Sequence, residues 1–135
     1  MSLKAEIHIP INSDADIVTA RQQGRELAQQ AGFNGSDLTV ISTAISEVAR
    51  NIVEHARSGE IVLSVANGPG RSGLVVVARD HGPGILDISL AMQDGYSTGK
   101  GLGLGLPGTR RLMDEFEITS KPGAGTTVTM KKWRR

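Results

Sequence analysis

The chain opens on an alternation: Leu3, Ala5, Ile7, Ile9 and Ile11 are separated by polar residues and Pro10, a period of two that predicts a strand over 3–11. Asn12-Ser13-Asp14 then supplies capping side chains. The spacing of Ile17, Val18, Ala20, Leu27, Ala28 and Ala31 predicts a helix, which Gly32 ends in the left-handed region. Asn34-Gly35-Ser36 turns the chain, with Ser36 expected to cap a second helix and Asp37 placed favourably against its dipole. That helix, about 37–57, is the most periodic stretch of the sequence. Leu38, Ile41, Ala44, Ile45, Val48, Ile52 and Ala56 share one face, which must pack against something apolar.

After Arg57-Ser58-Gly59 the signals change to strands over 61–65 and 74–78, joined as a hairpin through the Gly- and Pro-rich turn from Asn67 to Gly73. A short helix is expected near 87–92, followed by a polar, glycine-rich stretch from Gln93 to Gly105. Pro107, whose fixed φ suits a first turn, starts a further helix that runs to about Glu115, and strands follow over 116–120 and 126–132. The order is βααββααββ, with neither repeat nor linker, so 1–135 reads as a single domain. Hairpin-paired strands mixed with helices predict an α+β two-layer sandwich, one sheet carrying its helices on one face.

Composition narrows the possibilities without changing this picture. A domain of 135 residues can bury roughly two thirds of its unfolded surface, and with 39% hydrophobic residues but few aromatics the core must be aliphatic. The absence of cysteine excludes disulfides and thiolate metal sites. No apolar run exceeds Leu74 to Ala78, and Lys4 and Glu6 interrupt anything like a signal peptide, so a soluble, cytoplasmic protein without a membrane partner is expected. A formal net charge of +1 gives no basic field for nucleic acid, and the run Lys131-Lys132-Trp133-Arg134-Arg135 reads as a solvated terminus.

Candidate chemistry gathers in short stretches. Glu47 and Asn51 lie about 40° apart around the second helix, at the border of its apolar face. A carboxylate there can accept a proton, and the amide oxygen is a hard ligand suited to Mg²⁺ carrying phosphates. The alternative is an ordinary polar border in which Glu47 pairs with Arg50 or Arg21. Asp80 follows the apolar run at a strand end, and Gly82 and Gly84 clear side chains from the turn beside it, so that backbone can approach a flat base. Its carboxylate can accept a hydrogen bond from the exocyclic amine of adenine.

The run Gly99 to Gly108 alternates glycines with Leu102, Leu104 and Leu106 and leads into a helix N-terminus, unlike a solvated linker. It is no Rossmann fingerprint, since no apolar strand precedes Gly103-x-Gly105-x-x-Gly108. It is no Walker A loop either, because Gly101 follows Lys100 and Asp94 occupies the place of the first glycine. His8, His55 and His81 have no metal-ligand spacing, and GxSxG, HRD and DFG signatures are absent.

The ordered set Glu47-x-x-x-Asn51, Asp80-x-Gly82-x-Gly84, Gly101-x-Gly103-x-Gly105 and Gly123-x-Gly125-Thr126 resembles the N, G1, G2 and G3 boxes of the GHKL ATPases, the superfamily of DNA gyrase, MutL and histidine kinases. Within it, the short length and the run from Asp94 to Phe116 are similar to the RsbT-type serine/threonine kinases of the stressosome, over about Asp16 to Arg135. The resemblance implies a Bergerat fold, a two-layer α/β sandwich with a mixed sheet and helices on one face, binding ATP under a lid over about Ile85 to Leu104. It implies Asn51 as the Mg²⁺ ligand, Glu47 as catalytic base, Asp80 on the adenine amine, and Gly82 and Gly84 shaping that pocket. Thr126 would support the base, while Lys100, Gly101, Leu102, Gly103 and Gly105 would sit at the phosphates. His81 stands where histidine kinases often carry Asn. Also implied are a STAS-domain protein as phosphoryl acceptor and a PPM-type phosphatase, or its regulatory domain, as the partner then activated. An ATP-gated anti-sigma or partner-switching module using the same pocket is the alternative from another class, and a stand-alone histidine-kinase catalytic domain is a third.

Overall fold

The computed structural model describes residues 6–84, 92 and 105–134. Strand β1 (Ile7–Ile11) leads into helices α1 (Asp14–Gln30) and α2 (Ser36–His55). Strands β2 (Gly59–Gly68) and β3 (Arg71–Asp80) form a hairpin, and α3 (Gly105–Leu112), β4 (Glu115–Lys121) and β5 (Gly125–Trp133) complete the described elements. The helix expected near 87–92 and the glycine-rich stretch to Leu104 lie outside the described residues, apart from Met92.

The sheet order is β1-β2-β3-β5-β4. Every described pairing is antiparallel, where a mixed sheet was expected. The reason is topological. A pair of helices between β1 and β2 returns the chain to the end of the sheet it left, and β2–β3 and β4–β5 are hairpins. Inward positions Ile9, Ile11, Ile61, Leu63, Leu74, Val76, Ala78, Val128 and Met130 meet the apolar faces of α1 and α2 in one aliphatic core. On α2 this face is Leu38, Ile41, Ala44, Ile45, Val48 and Ile52, all buried as the periodicity predicts. Each branched side chain contributes roughly 1.5–3 kcal/mol by leaving water.

Local chemistry sets the helix ends. The Asp16 carboxylate reaches back to the N–H groups of Asn12 at 2.8 Å and Ser13 at 3.2 Å, satisfying donors that the first turn leaves open. At the other end of α1, Phe33 N–H bonds to Ala28 O and Gly32 N–H to Gln29 O, both at 3.0 Å, the paired bonds of a Schellman cap with Gly32 at φ 98°. Ser36 is the first residue of α2 and not its cap; Gly35 holds that place. Gly24 in mid-helix lets α2 approach, because a Cβ there would run into the Ile45 side chain.

The end of the chain departs from the expected solvated terminus. Lys131, Lys132 and Trp133 belong to β5, and Lys132 Nζ donates to Leu112 O, the last carbonyl of α3, at 3.1 Å. Trp133 pairs with Gly73 at the start of β3 and its ring lies over the space a Cβ would fill there. Its Nε1 donates to Glu115 at 2.6 Å, and the Arg71 guanidinium sits 4.1 Å from the ring centre. Among the described residues no helix is long and apolar enough to cross a membrane.

Candidate nucleotide site

Helix α2 carries Glu47 and Asn51 on adjacent turns. Glu47 is buried, 8% exposed, and Asn51 is half-buried at the same border. Arg50 donates from Nη1 to Glu47 Oε1 at 3.0 Å, so the ion pair weighed as an alternative to function does form. It forms around a carboxylate that an ordinary helix border would leave in water.

The Asp80 carboxylate is fixed from two directions. Its Oδ1 accepts the Gly82 N–H at 2.9 Å and the Thr126 N–H at 3.2 Å, from the first turn after β3 and the start of β5. Among the described residues nothing bonds to Oδ2, which leaves one oxygen of a preoriented carboxylate for an amine donor. The glycines beside it serve the chain's own packing. A Cβ on Gly82 would stand 2.5 Å from Ala56 Cβ, and one on Gly84 would meet the Lys121 carbonyl. The turn is thus pressed against α2 on one side and the β4–β5 hairpin on the other, with Gly123 N–H bonding to Pro83 O at 2.7 Å.

Close packing brings α2 to the same corner. Gly59 pairs with Asp80, and a Cβ at Gly59 would lie 2.9 Å from the Ile52 side chain and 3.1 Å from Asp80 Cβ. Ile52 directly follows Asn51. Along the helix axis Asn51 stands about 7 Å from Ala56, the residue against Gly82, and Glu47 about 6 Å further on. A fixed carboxylate, an amide and an acid therefore follow one another along one end of the sheet and the helix over it. Helix α3 packs against α2 and opens at Gly105, whose carbonyl accepts the Thr109 hydroxyl at 2.8 Å. Lys100, Gly101, Leu102 and Gly103 lie outside the described residues.

The donor set fits a magnesium ion in one way. Among the described residues no three His, Asp or Glu side chains gather to hold a metal. A single amide oxygen suits Mg²⁺ that keeps waters and takes its other ligands from phosphates. Asn51 would be that ligand.

One residue at the site, Ser120, went unread in the sequence, and Gly125 was read without its structural role. Ser120 donates to Gly125 O at 3.1 Å and lies 2.9 Å from the Thr126 hydroxyl, so it ties the hairpin beneath Asp80. Gly125 has φ 90°, and a Cβ there would strike the Asp80 carbonyl. Gly125 was visible only as part of a motif, and Ser120 carried no signal beyond lying just before it. The Thr126 hydroxyl is engaged with Ser120, while the Thr126 backbone N–H donates to Asp80.

This fold and this corner define a class. The chain belongs to the family described as the histidine kinase-like ATPase domain, whose model matches residues 11–132. Over 127 residues it is 49% identical to the serine/threonine-protein kinase RsbT of Bacillus subtilis strain 168, covering 94% of this chain and 96% of that one. An anti-sigma F factor of Thermoanaerobacter sp. strain X514 is 32% identical over 101 residues, 72% of this chain and 71% of the relative. Among solved structures, that of the RsbU and RsbW domains of a Mycobacterium tuberculosis protein superimposes with TM-score 0.64 at 26% identity. It covers 97% of this chain, which spans 33% of that longer one.

Proposed function

We propose that the protein is a cytoplasmic, ATP-dependent serine/threonine kinase whose acceptor is a hydroxyl on a STAS-domain protein, and which then binds and activates a PPM-type phosphatase or its regulatory domain. The observation that carries the reading is the seating of α2, the helix that bears Glu47 and Asn51, on the Asp80 turn, through Ala56 on Gly82 and Ile52 on Gly59. Identity of 49% over nearly the whole of a serine/threonine kinase supports the choice of reaction.

In this mechanism Asp80 selects adenine through its exocyclic amine, held by the Gly82 and Thr126 N–H groups. Asn51 would hold Mg²⁺, which would supply charge neutralisation at the phosphates. Glu47 takes the proton of the acceptor hydroxyl as that oxygen bonds to the γ-phosphorus, the bond to the bridging oxygen breaks, and ADP leaves. Catalysis is chiefly alignment of the reacting oxygens and stabilisation of charge.

The direct test is incubation with γ-labelled ATP, Mg²⁺ and candidate STAS-domain proteins, followed by mapping of the label. An acid-stable phosphoserine or phosphothreonine is expected; acid-labile label would mark a histidine kinase instead. The anti-sigma F relatives favour one second reading, a module in which ATP gates binding to a partner. Partner binding supported by a non-hydrolysable analogue, with no labelled product, would select it. In either case Asp80→Asn is expected to weaken ATP binding by roughly 1–3 kcal/mol. An unchanged affinity in calorimetric titration would remove Asp80 from the site.

A further inference from the structure

The mechanism above leaves one charged group beside the acid unused. Arg50 lies three residues after Glu47 and so about 60° round the helix on one side of it, while Asn51 lies about 40° round on the other. The acid is flanked by a cation and by an amide. The Glu47 side chain is 11% exposed and the Arg50 side chain 37%, so the pair reaches from the packed interior toward the surface of α2.

On an exposed helix such a pair is ordinary. Here one partner is a buried carboxylate, which stability alone does not favour: a well-packed apolar residue at that place would avoid the desolvation of the charge. A carboxylate taken out of water gains from a charge-assisted hydrogen bond, and Arg50 Nη1 donates one to Oε1 at 3.0 Å. It also restricts the carboxylate. Glu has several rotatable bonds, and a bond from the rigid guanidinium fork draws Oε1 to the Arg50 side, away from Asn51.

We propose that Arg50 is a positioning residue for Glu47: it holds the acid in the orientation that receives the acceptor proton and keeps it apart from the metal-binding amide. The inference rests on the kinase reading above. Arg50 acts through Glu47, so its removal affects the transfer step and leaves the binding of ATP alone.

The test uses the full chain and a STAS-domain protein that the wild type labels. Arg50→Met is expected to lower kcat by about 10- to 10²-fold, the scale of a misplaced catalytic group. The KM for the acceptor and the ATP affinity, measured by calorimetric titration with Mg²⁺, are expected to stay at wild-type values. Arg50→Lys, which keeps the charge without the fork, should recover part of the loss. Arg50→Gln takes the place of Arg50→Met should the latter fail to unfold at the wild-type urea midpoint. Wild-type kcat in Arg50→Met, a faster rate, or a loss found in KM or ATP affinity would each overturn the proposal. If the wild type labels no STAS-domain protein, the kinase reading fails and takes this inference with it.

Discussion

Replacing Glu47 with Gln is expected to lower phosphoryl transfer by about 10²–10⁴-fold, the usual contribution of a general base, with nucleotide affinity held within about 1 kcal/mol. The substitution is nearly isosteric. Its amide oxygen can still accept the Arg50 bond, so the packing of α2 between the sheet and α3 is retained. What goes is the ability to take a proton. In the proposed mechanism adenine recognition rests on Asp80, beyond the C-terminal end of the helix, and the metal on Asn51, so neither passes through the altered group. Single-turnover transfer from γ-labelled ATP, beside a binding titration, separates the two quantities. Turnover at the wild-type rate would take Glu47 out of the mechanism.

Gly125→Ala is expected to act on both fold and site. The backbone there has φ 90°, where an L side chain is strained by about 1–3 kcal/mol. The added methyl would also press on the Asp80 carbonyl, an overpacking that costs about 1–3 kcal/mol more. Relief requires the start of β5 to move, and with it the Thr126 N–H that holds Asp80 and the carbonyl that accepts from Ser120. A lower urea midpoint and weaker ATP binding should therefore appear together. Loss of stability with unaltered ATP affinity would show that the hairpin does not set the orientation of Asp80.

Much of this was legible because the signals are local. The face of α2 follows from a period near 3.6, and Gly32 marks the end of α1 because only glycine sits easily in the left-handed cap. Glu47, Asn51 and Asp80 stood out as candidates by residue type and local context, within the helix pattern and beside the Asp-x-Gly-x-Gly turn. Long-range relations were hidden. The hairpin strands run longer than expected, 59–68 and 71–80, because their outer ends carry polar and small residues that weaken the alternation while the ladder continues. At Gly82 and Gly84 the place a Cβ would take is occupied by neighbours distant in sequence, Ala56 and Lys121, a packing reason for glycine that the sequence did not show. Ser120 and Gly125 matter through the register of β4 on β5, which no short window of sequence contains. The run after Asn51 showed its use in the same way, once Ile52 was seen against Gly59.

Trp133 is the only indole in the chain, and it sits over Gly73, seven residues along β3 from Asp80. At strand spacing that is roughly 23 Å away. Its emission is therefore a gauge of whether the sheet, the C-terminal end of α3 and the chain terminus are assembled, and arrival of a nucleotide at the opposite edge should leave it dark to the event. Unfolding in the presence of nucleotide can then be read from the indole without a signal from occupancy itself.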